Sequence, residues 1–253
     1  MADFVIVPGA CTPPALFQDF CDLARDKGVA ATTVELATVG RNLDQLAPGI
    51  IDDVCAIRQV AEPLLDQGKE VILVTSSLGG VAGTQSLEHL GCAPRALNGR
   101  PGGIKKVVYV SSMILEPGTA AVDFFGPEPP PIMNIEDTEE YIQWTDDIDD
   151  GTLTFSDLPQ EEARKHRAKM TTFHSRHSFE NRLTYPGYKH VEVHYVVCEE
   201  DRILPKEAQL ALVKTLKKHS IGKVTIHSIA AGHLPLVTSP EKTLQILRGI
   251  AGG

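Results

Sequence analysis

Three residues far apart in the chain have the types needed for nucleophilic acyl transfer: Ser77, Asp201 and His233. A serine hydroxyl is a poor nucleophile at its own pKa. It needs a base within hydrogen-bond reach, and the base needs a partner that holds its ring. Ser77 lies in Thr75-Ser76-Ser77-Leu78-Gly79, where the apolar run Val71-Ile72-Leu73-Val74 gives way to a helical pattern over 81–90. A tight strand-to-helix turn strains its middle residue and lifts that side chain above the sheet. Small residues two before and two after it let neighbouring backbones approach. The pattern is G-x-S-x-G with Thr75 in place of the first glycine. Ser76 is the alternative nucleophile, but one step earlier in such a turn it points sideways.

Nine histidines compete for the role of base. His166, His174 and His177 fall on a charged helical run, His89 and His219 near helix ends, and His190, His194 and His227 beside or within strands. His233 instead follows the last predicted strand, in Ala230-Ala231-Gly232-His233-Leu234-Pro235, a loop at the edge where Ser77 also emerges. The orienting carboxylate is expected after the fifth predicted strand, in Cys198-Glu199-Glu200-Asp201-Arg202. Asp201 lies nearest the turn into the next helix, and Glu200 is second choice. The end of the fourth strand reads Ser111-Ser112-Met113-Ile114 and supplies no carboxylate before Glu116. An oxyanion hole needs two backbone N–H donors. One falls to Leu78, after the serine. The other falls to Ala10, in a loop where Gly9 permits close backbone approach.

These residues need a sheet to hold them. Phe4-Val5-Ile6-Val7 ends at Pro8-Gly9 and reads as a strand buried on both faces. Further strands are predicted over 32–36, 70–75, 106–111, 191–198 and 223–227, with helices over 13–27, 44–67, 81–90, 206–218 and 240–250. Strands alternating with helices predict an α/β fold, a mostly parallel sheet with helices on both faces. Residues 115–188 break the alternation and contain no convincing strand. They hold prolines 127, 129, 130 and 131, an acidic stretch over 136–150 and a charged helical run over 159–177. An insert of about 70 residues is too long for a plain connection and is expected to be a helical cap. Ser77 precedes it and Asp201 and His233 follow it, so residues 1–253 are expected to form one domain with the cap inserted.

Together these motifs resemble the α/β-hydrolase superfamily over almost the full chain. More narrowly, they resemble the small methylesterase and hydroxynitrile-lyase-like branch and its fungal relatives. The resemblance rests on 4–10, 69–80, 198–205 and 232–236, and on the order nucleophile, acid, base. It implies an α/β-hydrolase fold and a serine hydrolase. In the hydroxynitrile lyases of that branch a lysine follows the base histidine. Here Leu234 stands there, which points to ester rather than cyanohydrin cleavage.

Composition sets the outer limits. The 253 residues carry 24 Lys+Arg against 33 Asp+Glu, a net charge of -9. A chain this acidic, without a basic run, is poorly suited to nucleic acid or anionic membranes. No apolar stretch approaches the roughly 20 residues of a membrane span, and no signal peptide is read at the N-terminus. The expected location is therefore cytoplasmic. Five cysteines without a C-x-x-C read as small buried hydrophobes. Asp146-Asp147-Ile148-Asp149-Asp150-Gly151 fails the calcium-loop pattern at Ile148 and Asp157, and reads as a solvated acidic face. The Gly-rich loop over 98–106 precedes a strand and is no phosphate cradle. No metal and no cofactor are expected.

The expected partner is a small molecule, neutral or apolar because the cap is acidic, and a homodimer stays open. Gly9, Ser76, Met113, Phe124, Phe125, Tyr141, Trp144, Phe173 and Leu234 are candidates to line its pocket. The leading reading is hydrolysis of a small carboxylic ester or lactone. The alternatives are a lyase, cyclase or C–C bond-cleaving enzyme with His233 as base, and a non-catalytic receptor.

Overall fold

Apolar residues on both faces of a strand fix how this sheet is covered. The structure is a computed structural model and describes residues 2–125 and 140–252. Six strands, β1 (Asp3–Val7), β2 (Ala31–Thr33), β3 (Val71–Ser77), β4 (Lys106–Ser112), β7 (Glu192–Cys198) and β8 (Val224–Ile229), form one parallel sheet in the order β2-β1-β3-β4-β7-β8. Successive side chains along a strand point to opposite faces. Val5, Leu73, Val107 and Tyr195 enter one buried cluster, and their neighbours Phe4, Ile72, Val108 and Val196 enter the other. This is why the strands read as unbroken apolar runs rather than alternating ones.

The first face is packed by α2 (Ile50–Asp66), α3 (Gly79–Leu90) and α8 (Lys206–His219), through Ile57, Leu87 and Leu212 among others. The second is packed by α1 (Gln18–Asp26) and the last helix, α10 (Pro240–Gly252), through Phe20, Leu244 and Leu247. Leu73 is fully buried, and its truncation to Ala costs roughly 2–5 kcal/mol. The shorter helices are α4 (Cys92–Leu97), α5 (Ala121–Phe125), α6 (Gln160–Arg167), α7 (His177–Glu180) and α9 (Pro235–Thr238).

Several boundaries differ from expectation. The second strand stops at Thr33, although the Val34 N–H still bonds the Ile6 carbonyl at 2.8 Å. The helix expected over 44–67 begins at Ile50, after Pro48 and Gly49, with the Asp52 carboxylate accepting from the Gly49 N–H at 2.8 Å. The insert contains strands after all. Residues Tyr141–Gln143 (β5) and Phe173–Ser175 (β6) pair antiparallel. The helix expected over 159–177 ends at Arg167, and His174 sits on β6, fully enclosed. Strands of three residues show no period, so their pattern was invisible.

The acidic face is not wholly solvated either. Asp149 is buried and its carboxylate accepts from the N–H groups of Gly151, Leu153 and Thr154. The Pro-rich loop and acidic residues 136–139 lie outside the described residues. Among the described residues no helix is long and apolar enough to cross a membrane.

Candidate active site

β3 ends in the turn that the motif predicts. Ser77 has φ +51°, in the left-handed region that a residue with a Cβ enters at a cost of about 1–2 kcal/mol. Its pairing with β4 shifts register between Ser76 and Ser77. Ser76 is fully buried and its hydroxyl has no partner among the described residues, whereas Ser77 is the part-exposed residue of this stretch. The helix α3 starts wedged between two loops. A side chain on Gly79 would strike the Pro8 carbonyl, and one on Gly80 the Met113 carbonyl. Thr75, in place of the usual glycine, is accommodated by another: a Cβ on Gly83 would lie 2.5 Å from its methyl.

Asp201 and His233 meet at a short contact, Oδ2 to Nδ1 at 2.7 Å, with both residues buried. The other carboxylate oxygen, Oδ1, accepts from the Ile203 and Leu204 N–H groups, both at 2.8 Å. Burial pushes the Asp201 carboxyl upward. The His233 ring, the Ser111 hydroxyl and the Leu204 N–H outweigh it and hold the group below the ordinary carboxylate range. Gln209 on α8 fixes the frame beneath. Its amide accepts from the Cys198 N–H at 2.9 Å and donates to the Cys198 and Leu204 carbonyls at 2.9 and 2.7 Å.

Ser111 completes a triad-like cluster that sequence reasoning missed. Its hydroxyl donates to Asp201 Oδ2 and lies 3.5 Å from His233 Nδ1. It therefore shares the carboxylate's side of the ring, whereas a nucleophile must face the other nitrogen, Nε2. Ser111 stands at the end of β4, the other position where an acid is sought, and hydrogen-bonds the Asp201 carboxylate. Ser77 Oγ makes no hydrogen bond to His233 among the described residues. The two are linked through β4, because the Ser77 carbonyl accepts from the Met113 N–H and the Ser112 hydroxyl, both at 2.9 Å. Catalytic hydrogen bonds are often open before substrate arrives.

Among the described residues three non-glycine residues have positive φ: Cys11 (+55°), Ser77 and Ser111 (+40°). They follow or end β1, β3 and β4, which are neighbouring strands of the sheet. Among the described residues the N–H groups of Ala10 and Leu78 meet no protein acceptor. A Cβ on Gly9 would lie 2.6 Å from the Ser77 Cβ.

Residues of the insert contact the loops that carry Asp201 and His233. The His233 N–H bonds the Thr154 carbonyl at 3.2 Å, and the Ser156 hydroxyl bonds the Glu200 carbonyl at 2.5 Å. Of the expected pocket residues, Gly9, Ser76 and Met113 sit at the strand ends. Leu234 is buried in the second core cluster. Tyr141 is turned to the 41–48 loop, its hydroxyl donating to the Asn42 carbonyl at 2.8 Å, and the Arg41 guanidinium lies 4.9 Å from the Phe173 ring centroid. Phe124 lines a groove with Ala211 and Thr215 of α8. Phe125 stacks edge-on against Phe124. Trp144 is buried, and its carbonyl accepts from Arg167 at 2.6 Å. Among the described residues no group of three or more His, Cys, Asp or Glu side chains is placed to hold a metal ion.

Comparison with known proteins agrees with the fold. A probable hydrolase, R7, of Phoma sp. is 28% identical over 251 residues, covering 98% of this chain and 97% of the relative. Methyl jasmonate esterase 1 of Vitis vinifera is 24% identical over 268 residues, covering 94% and 92%. The crystal structure of polyneuridine aldehyde esterase superposes with a TM-score of 0.76 at 18% identity, covering 99% of each chain. The alpha/beta hydrolase family matches residues 4–246, and the chain belongs to that family.

Proposed function

We propose that this chain is a serine esterase that cleaves a small, neutral carboxylic ester or lactone. The observation that carries the proposal is the left-handed Ser77 at the tip of β3, pressed against Gly9 and paired with the end of β4, whose Ser111 meets the buried Asp201–His233 pair. Ser77 Oγ attacks the carbonyl carbon while His233 Nε2 takes its proton. Asp201 holds Nδ1–H and stabilises the imidazolium that forms. The Ala10 and Leu78 N–H groups bind the oxyanion, aided by the positive end of α3. His233 then returns the proton to the leaving alcohol. Water, deprotonated by the same ring, releases the acid from the acyl-enzyme.

Leu234 after the histidine, and a relative named methyl jasmonate esterase 1, support an ester over a cyanohydrin. In this reading residues 115–188 are a cap inserted into one catalytic unit. Ser77→Ala is expected to lower turnover of a p-nitrophenyl ester by about 10⁴-fold or more. Full activity in that variant overturns the mechanism. Covalent labelling without turnover on an ester panel favours a lyase on the same residues.

A further inference from the structure

The insert does more than cover the site: it grips the loop that carries the Ala10 donor. Cys11 is held at both of its backbone polar groups by residues 171–174. Its N–H donates to His174 Nδ1 at 3.3 Å, and its carbonyl accepts from the Thr171 N–H at 2.9 Å. On the other side of Ala10, Gly9 rests against Ser77. Ala10 is thus strung between two fixed points, one supplied by the nucleophile turn and one by the cap.

We infer that His174 is a positioning residue that sets the direction of the Ala10 N–H by holding the Cys11 amide. The inference rests on the proposed role of Ala10 in the oxyanion hole. Cys11 is a left-handed residue with a side chain, and such a conformation persists only where its surroundings impose it. His174 imposes it from a rigid base. Its strand β6 bridges to Val39, and the Ser175 N–H bonds the Thr38 carbonyl at 2.8 Å. Thr38 is held in turn by the buried Asp53, which accepts from its N–H at 3.0 Å and its hydroxyl at 2.7 Å. Because Nδ1 accepts, the ring proton belongs on Nε2, which among the described residues is buried without a partner, and His174 lines a small cavity with Gly9 and Leu78. A buried N–H left unpaired costs stability, so packing alone does not account for an imidazole here. Burial also pushes the His174 pKa down to about 3, which keeps the ring a neutral acceptor rather than a proton shuttle.

The test compares two variants with the unaltered protein. His174→Asn places an amide oxygen near the Nδ1 position and is expected to keep kcat within about threefold. His174→Leu removes the acceptor and is expected to lower kcat about 10- to 100-fold, with KM changed by less than about threefold and inhibition by an aryl boronic acid weakened in parallel with kcat. Wild-type kcat in His174→Leu, or a loss confined to KM, overturns the inference. Nitrogen-15 NMR of the unaltered protein gives a readout that does not depend on a variant folding. A proton on Nε2 is expected, and a proton on Nδ1 overturns the inference. Ser77→Ala in the same assay separates the two layers. If it stays active, the underlying mechanism falls. If it is dead while His174→Leu is unaffected, only the role of His174 falls.

Discussion

Gly9 and Ser77 are packed so closely that a Cβ on Gly9 would lie 2.6 Å from the Ser77 Cβ and 3.2 Å from its Oγ. Real Cβ atoms do not approach one another that closely, so a side chain at position 9 must displace the serine. Gly9→Ala is therefore expected to lower kcat/KM on a p-nitrophenyl ester by about 10- to 100-fold. The accompanying loss of stability, from overpacking, is about 1–3 kcal/mol. Steady-state kinetics with a thermal melt checks this, and unchanged kinetics would show that the contact does not set the geometry.

Ser111 and Ser77 are separated by a single substitution. Ser111 donates to the oxygen of Asp201 that also meets His233. Removing it weakens the hold on the base without touching the attack on substrate. Ser111→Ala is expected to lower kcat by about 3- to 30-fold with KM nearly constant. A loss as large as that of Ser77→Ala, with loss of covalent labelling, would make Ser111 the nucleophile.

Asp53 gives a pH signature that belongs to the fold. Burial raises its carboxyl from 3.8 to about 6, against the lowering effect of the Thr38 hydroxyl and N–H. The folded state then binds a proton more tightly than the unfolded chain between about pH 4 and 6. Stability from this group is greatest below that window and falls as pH rises through it. Asp201 has the opposite sign: its depressed pKa gives stability above the ordinary carboxylate range that is lost only as pH falls below it. The stability of Asp53→Asn relative to the unaltered protein is expected to rise by roughly 1–3 kcal/mol from pH 4 to pH 7. Urea unfolding at the two pH values measures it, and a flat difference contradicts it.

Arg167 holds the insert together. Its buried guanidinium donates to the Asp149 carbonyl at 3.0 Å and to the Trp144 carbonyl at 2.6 Å. Arg167→Ala leaves those acceptors without their donor and is expected to cost about 2–4 kcal/mol. Protease cleavage within 140–170 well below the global melt is the readout, and unchanged resistance would show that Arg167 is dispensable.

The residues that announce themselves in sequence are those bound to regular elements. Ser77 is marked by an apolar run that stops at a small-residue turn, and His233 by its loop between the last strand and the last helix. Asp201 is marked by the turn into α8. Ser111 is silent because its role comes from a left-handed backbone and a neighbour 90 residues away, and serine at a strand end is otherwise ordinary. His174 reads as one more histidine in a charged stretch. Its strand is three residues long and its partner strand lies some 30 residues upstream. Gln209 looks like a surface residue of an amphipathic helix, yet it is fully buried because the end of β7 needs its amide. Periodicity exposes elements that pack by stripes. It does not expose single polar groups that satisfy a distant backbone.

The central claim is that Ser77 is the nucleophile, and covalent trapping tests it most directly. After reaction with a fluorophosphonate, peptide mass mapping is expected to find one adduct, on Ser77, abolished in Ser77→Ala and retained in Ser111→Ala. An adduct on Ser76 or Ser111, or undiminished labelling of Ser77→Ala, would contradict the account.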